Sequence, residues 1–306
     1  MNNNFECILC KNNEKNDYYE KTRENDEHKI VICKKCNHIQ LYPINFNAKE
    51  YYDHDKQDKN ITNIGDRTTK DWEEMVNNQS LRRIKYLEQI IDDLLKNNDT
   101  INMCDIGGGY GHFCRNIKNK YGDKINITLL EPGCKRINKH NNENIIMIES
   151  LLDENFAKNN KETYDIVTCF HVFEHVFEPK KFIELLKSIV KKNGFFYIEV
   201  PNQNNELTKL STEYNNIVWY MNCHVSYFTP EIFFNLIKSK TDKIIEFKGF
   251  ERYGLLNFLY WVHYNKPQKG AVNYYNGESI HEIEDIWIQN RSDKLISDSI
   301  YAIIQK

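Results

Sequence analysis

From Ser80 onward the chain alternates two kinds of apolar spacing. The stretch "SLRRIKYLEQIIDDLL" sets Leu81, Ile84, Leu87, Ile90 or Ile91, and Leu94 at helical intervals, which predicts an amphipathic helix. Short apolar runs then take turns with helical ones. "INMCD" precedes a helix from about Tyr110, "NITLLE" one from about Gly133, and "NIIMIE" a short one. "YDIVTCF", the helix "PKKFIELLKSIVKK" and the strand "GFFYIEV" follow, then the helix "PEIFFNLIKS". "KIIEFKGF" and "LLNFLYWVHY" read as two last strands that pair as a hairpin. Strand and helix in alternation imply a parallel sheet covered on both faces, so the fold class is α/β, a doubly wound seven-stranded Rossmann-like domain. Beyond Trp261 the apolar spacing of Ile283, Ile286 or Trp287, Leu295, Ile300 and Ile303 predicts a helix covering the sheet. The pattern divides the chain at 1–50, 51–79, 80–262 and 263–306: a small module, a linker or cap, the doubly wound domain and a helical extension.

Composition changes this picture little. The 306 residues carry a net charge of −3 and no basic run, so nothing marks a nucleic-acid partner. No apolar stretch has the length of a membrane span, and "MNNNFECILC" has no secretory pattern. A cytoplasmic chain is expected, with its nine cysteines as thiols or metal ligands. Cys7-x-x-Cys10 and Cys33-x-x-Cys36 form two knuckles, each able to aim two sulfurs inward. Zinc takes four such ligands in a tetrahedron, and four thiolates leave no open position for catalysis. A structural zinc ion is therefore expected to fold the small module. Cys104, Cys114, Cys134 and Cys169 read as small buried hydrophobes.

A chain with only 12 glycines places four of them in "CDIGGGYGHF". Directly after a strand, that run implies a tight turn into a helix at the carboxyl edge of the sheet, where ligands of doubly wound folds bind. A dinucleotide frame, Gly-x-Gly-x-x-Gly, would need glycine where His112 stands. The frame that fits is Asp105-x-Gly107-x-Gly109-x-Gly111. Its aspartate opposes a pyrophosphate but suits an ammonium group, while the glycines let backbone approach a ligand. Glu131, at the tip of the next strand, stands where a carboxylate accepts hydrogen bonds from both ribose hydroxyls. S-adenosylmethionine has both the ammonium and the ribose.

"CDIGGGYGHF", "LLEPG" and "YDIVTCFHVFEHV" resemble the motifs of class I S-adenosylmethionine-dependent methyltransferases. The four-cysteine module with "CKKCNHIQLYP" resembles the zinc-binding domain of a bacterial branch that includes sugar C-methyltransferases. The resemblance spans about Cys7 to Phe250. It implies that Gly107 and Gly109 line the methionine and ribose, that Asp105 meets the amino group, that Glu131 holds the ribose and that Pro132 flanks the adenine. Phe170 and His171 then face the sulfonium. It also implies a sugar or nucleotide-sugar acceptor in surface-polysaccharide or natural-product biosynthesis. In that branch a Glu-His pair transfers protons; here "MNCHVSYFTP" keeps His224 but has Cys223 in the glutamate position, which leaves O-, N- and C-methylation open.

Methyl transfer from a sulfonium asks mostly for alignment, and a hydroxyl nucleophile gains from a nearby histidine base. His224 is the first candidate, with His175 and Glu174 of "FHVFEHV", and His171, as rivals. Tyr51-Tyr52, Trp219-Tyr220 and Tyr227-Phe228 are candidates for a pocket wall or for core; Phe228, Phe233 and Phe234 read as core. His112 faces either cofactor or solvent. Competing classes are a nucleic-acid methyltransferase, a non-catalytic binder and an NAD-dependent enzyme; the first lacks the Asn- or Asp-Pro-Pro-aromatic signature in "TCFHVFEH".

Overall fold

The computed structural model describes residues 5–24, 27–45, 69–133, 144–241, 243–268 and 278–306. Tyr51, Tyr52, Cys134 and the body of the helix expected from about Gly133 lie outside the described residues.

The main sheet has seven strands: β4 (Ile101–Ile106), β5 (Ile125–Leu130), β6 (Ile145–Ile148), β7 (Tyr164–Phe170), β8 (Val190–Pro201), β10 (Lys243–Phe250) and β11 (Ser299–Gln305). Their order is β10-β11-β8-β7-β4-β5-β6. β6, β5, β4, β7 and β8 run parallel, while β11 is antiparallel to both β8 and β10. Alternate residues of each inner strand feed opposite faces. Cys104, Ile106, Val167 and Cys169 join one apolar cluster, and Ile101, Met103 and Ile166 join the other. That second layer is closed by α1 (Thr69–Leu95), through Ile84, Leu87 and Ile91, and by α2 (His112–Tyr121), through Phe113, Cys114 and Ile117.

Two expected elements are exchanged. "LLNFLYWVHY" is the helix Leu255–Tyr264, not a strand, and the seventh strand is Ser299–Gln305, inside the segment expected to be helical. Spacing explains both. In the former, Asn257 and Trp261 are the buried residues, a four-residue interval, while Leu259, Val262 and Tyr264 are exposed. "SIYAIIQ" is buried at six successive positions, as a strand flanked on both edges and covered on both faces must be. Its Ile300 and Ile303 imitate a helical interval. A helix does form at Glu278–Asp293, ahead of the strand. The helix expected from Ser80 begins eleven residues earlier, at Thr69, which carries Trp72 and Val76 to the sheet edge.

The N-terminal module is a four-stranded antiparallel sheet in the order β1-β2-β3-β9. Its β1 (Lys15–Tyr19), β2 (Lys29–Cys33) and β3 (Ile39–Tyr42) are local, whereas β9 (Ser226–Tyr227) comes from the main domain. Tyr227 pairs with Ile39, Leu41 N donates to Val225 O and Arg23 N donates to Tyr220 O. The module therefore holds the segment that carries Cys223 and His224.

Candidate active site

A cavity of about 870 Å³ opens where β4, β5 and β7 end, within the size range of small-molecule sites. Its floor is the glycine turn. Gly107, Gly109 and Gly111 hold φ of 68°, 56° and 70°, the left-handed region that favours glycine. A Cβ on Gly107 would meet Val172 Cγ2 at 2.4 Å, whereas a Cβ on Gly109 would meet nothing within 4 Å. Gly109 thus keeps its backbone open to the cavity. Gly111 is the N-cap residue of α2 and does not line the cavity, so its place in the motif is a turn requirement. Gly108, which carried no role in the sequence reading, lines the wall: a Cβ there would meet Leu129 Cδ1 at 2.1 Å and Asp105 Oδ2 at 2.4 Å.

Asp105 and Glu131 both reach the cavity from strand ends and are both nearly inaccessible. Asp105 Oδ1 accepts from Thr168 Oγ1 at 2.7 Å, and Oδ2 accepts from the Cys114 thiol at 3.5 Å. Burial raises the Asp105 carboxyl to about 6, although Thr168, Cys114 and the Arg83 charge pull the other way. Glu131 Oε2 accepts from Gly109 N at 2.9 Å and Oε1 from Gly133 N at 3.0 Å, so this carboxylate shapes the glycine turn. Pro132, Phe170 and His171 also line the cavity. Phe170 is wedged edge-on between Phe113 and Tyr197, with the Arg83 guanidinium 4.7 Å from its centroid.

The three candidate histidines converge on one buried acid, Glu174, itself one of the rival candidates. Glu174 Oε1 lies 3.3 Å from His171 Nδ1 and 3.9 Å from Nε2 of both His175 and His224. Burial alone would raise this carboxyl; the contact with His171 and the charges of His175, His171 and His224 outweigh it and hold Glu174 at about 2. His171 Nε2 also meets Glu199 Oε1 at 2.9 Å, and Glu199 is clasped by Arg83 at 3.0 and 2.6 Å. His175 Nδ1 faces the Cys223 carbonyl at 2.8 Å. His171 and His175 line the cavity; His224 does not, standing behind His175 with ring centroids 4.9 Å apart. Burial, with the adjacent His175, drives the His224 imidazole well below its ordinary value against the pull of Glu174.

Other expectations resolve similarly. His112 lines the cavity beneath Trp72 and meets Arg115 at 2.9 Å. Trp219, Tyr220 and Tyr227 belong to the core beside the module sheet rather than to the cavity. Phe228 and Phe233 are core, Phe228 stacked on Phe173 at 5.3 Å; Phe234 is half-buried against Phe247. Cys104, Cys114 and Cys169 are buried. Trp72, Arg83 and Arg252 line the cavity and escaped the sequence reading. One signal was available: Glu199 is a carboxylate inside the apolar run "FFYIEV", which requires a buried cation nearby.

At the other end, Cys7 and Cys36 bring their sulfurs to 3.5 Å, as do Cys10 and Cys33. Thiolates about 2.3 Å from a tetrahedral zinc lie roughly 3.8 Å apart, so the four sulfurs fit the ion. The main sheet order, with one antiparallel strand inserted beside a parallel set and a glycine turn at its edge, defines a class I methyltransferase fold. Residues 79–283 match the model of the methyltransferase domain family, and the chain belongs to that family. The ubiquinone biosynthesis O-methyltransferase of Leptothrix cholodnii is 24% identical over 125 residues, 40% of this chain and 52% of the relative. That of Hydrogenovibrio crunogenus is 26% identical over 124 residues, 40% and 49%. The chain thus spans about half the length of the curated relatives it matches. Among solved structures, a SAM-dependent methyltransferase from Archaeoglobus fulgidus aligns with a TM-score of 0.50 at 18% identity, covering 76% of this chain and 94% of that one. The plantazolicin methyltransferase, solved with a triazolic desmethylPZN analogue and SAH, aligns at 0.51 and 14% identity, covering 84% of this chain and 94% of that one.

Proposed function

We propose that the chain transfers a methyl group from S-adenosylmethionine to a hydroxyl of a small polar acceptor. The single observation that carries this is the glycine-floored cavity with Asp105 and Glu131 at adjacent strand tips inside a methyltransferase-family domain. Asp105 takes the ammonium, Glu131 the ribose hydroxyls, Pro132 one face of the adenine, and Phe170 and His171 the sulfonium side. The chemistry needs the acceptor oxygen held in line behind the methyl carbon, which is work of positioning. His175 is the proton acceptor: Nδ1–H donates to the Cys223 carbonyl, and this tautomer leaves the Nε2 lone pair for the task. His224 and Glu174 back it from behind.

A sugar or nucleotide-sugar is the leading acceptor, supported by the polar groups of Arg83, His171, Lys181 and Arg252 on the cavity wall and by the branch that the four-cysteine module resembles. A phenolic hydroxyl is the second reading, favoured by the apolar Val176, Phe177, Phe182 and Leu185 on the same wall and by the names of the curated relatives. No described helix is long and apolar enough to cross a membrane, and a thiol-rich chain suits a reducing cytoplasm. Calorimetry with S-adenosylmethionine, S-adenosylhomocysteine and NAD tests the cofactor: micromolar binding of the first two and none of the third is expected, and preference for NAD overturns the reading. Product mass analysis against nucleotide-linked sugars and catechols then chooses the acceptor.

A further inference from the structure

The cluster behind the cavity wall holds more donors than a proton acceptor requires. His175, Cys223 and His224 each offer one ligand atom, and these atoms lie within 4.8 Å of one another. Glu174 stands beside the group, with Oε1 at 3.9 Å from Nε2 of both imidazoles. Around a tetrahedral zinc, with Zn–N of about 2.0 Å and Zn–S of about 2.3 Å, neighbouring donors stand roughly 3.3–3.6 Å apart. Two further features prepare the group. The Cys223 carbonyl holds His175 Nδ1–H, which leaves Nε2 as the nitrogen with a lone pair, the arrangement that fixes ligating histidines elsewhere. Glu174 is 1% exposed and neither carboxylate oxygen makes a hydrogen bond, although His171 Nδ1 stands 3.3 Å from one of them. A buried carboxylate so placed calls for a cation.

We propose that His175, Cys223 and His224, with Glu174 beside both imidazoles, form a second metal site, separate from the four-cysteine module, that binds a divalent borderline metal, zinc foremost. One thiolate and two imidazoles suit zinc over magnesium or calcium, which take all-oxygen sets. The ligands come from two segments, one following β7 and one preceding β9, so the ion ties the cavity wall to the strand shared with the module. The site goes beyond the methyl-transfer reading in one respect that rests on it: an ion on Nε2 occupies the lone pair assigned to His175, so a loaded enzyme turns over only after the ion leaves.

Metal analysis combined with cobalt(II) titration of the full chain tests this without reference to turnover. Wild type is expected to take up two equivalents, with a one-thiolate cobalt spectrum superposed on a four-thiolate one. Cys223→Ala and His224→Ala are each expected to lose one equivalent and the one-thiolate bands while keeping the other. A wild type that saturates at one equivalent with a purely four-thiolate spectrum overturns the proposal, as does a double variant that still binds two. Should either variant fail to fold, the wild-type spectrum alone decides. Failure of S-adenosylmethionine binding, measured separately, would strike the methyl-transfer reading and leave the metal count untouched.

Discussion

Asp105 is asked for two opposite things. Its surroundings favour the proton, raising the carboxyl to about 6 from an unfolded value near 3.9, while the ligand's ammonium needs the anion. Between those values the native state binds more protons than the unfolded one. The contribution of Asp105 to stability without ligand is therefore present at about pH 4 and lost as pH rises through about 6. Cofactor affinity runs the other way and falls as pH drops through about 6. We expect Asp105→Asn to weaken S-adenosylmethionine binding about tenfold at pH 7.5, to flatten its pH dependence and to leave the melting temperature without ligand equal or higher. Calorimetry and melting between pH 5 and 8 check this; an unchanged slope of affinity against pH in the variant would remove Asp105 from the ammonium site. The role of this residue was legible because acid and glycines are adjacent in sequence. Glu174 is legible only as one candidate beside His175, since what gives it weight, three histidines from two segments, exists only once β7 and β9 are brought together.

Among the elements, α1 is fastened to the sheet by more than its apolar stripe. Arg83 from α1 grips Glu199 of β8 with side chains 8% and 0% exposed, and the guanidinium holds that carboxyl well below its usual range although burial opposes it. Removing one member of such a pair strands the other. Arg83→Met should cost about 3–5 kcal/mol by denaturant melting. Glu199→Gln, which keeps an acceptor for Arg83, should cost less; equal costs would mean that the ion pair is not what matters. The parallel strands were legible because each is a short apolar run bounded by turn residues. So was β10, but two later elements were not. Leu255–Tyr264 is rich in aromatic residues yet buries a helical stripe, and Ser299–Gln305 is buried throughout, so hydrophobicity alone does not separate helix from strand. The long start of α1 was missed because Thr69–Gln79 is mostly polar, and its value lies in placing Trp72 over Tyr110 and His112.

At the scale of the molecule, the module and the main domain share a sheet, and the four-cysteine cluster sits at its edge, with Cys33 ending β2 and Cys36 in the turn before β3. Chelating metal from the four-cysteine site should melt β1 to β3 in a separate, lower transition and release residues 220–227. Those residues do not line the cavity, so S-adenosylmethionine affinity should stay within about twofold, since each tenfold loss would need about 1.4 kcal/mol. Calorimetry and melting with and without a chelator read both quantities, and a sheet that survives metal removal would show that the sulfurs alone suffice. The two-knuckle module was visible from cysteine spacing, but its borrowed fourth strand was not, because β9 is two residues long and lies far along the chain.

The position of β11 has a temporal side. β10 touches the rest of the sheet only across β11, which the ribosome delivers later, after the helix Glu278–Asp293. A nascent chain that ends at Phe250 therefore lacks the strand that joins β10 to the sheet, and also Arg252 of the cavity wall. Sheet closure waits for the last-made strand, and the exposed edge until then is where a chaperone has most to cover.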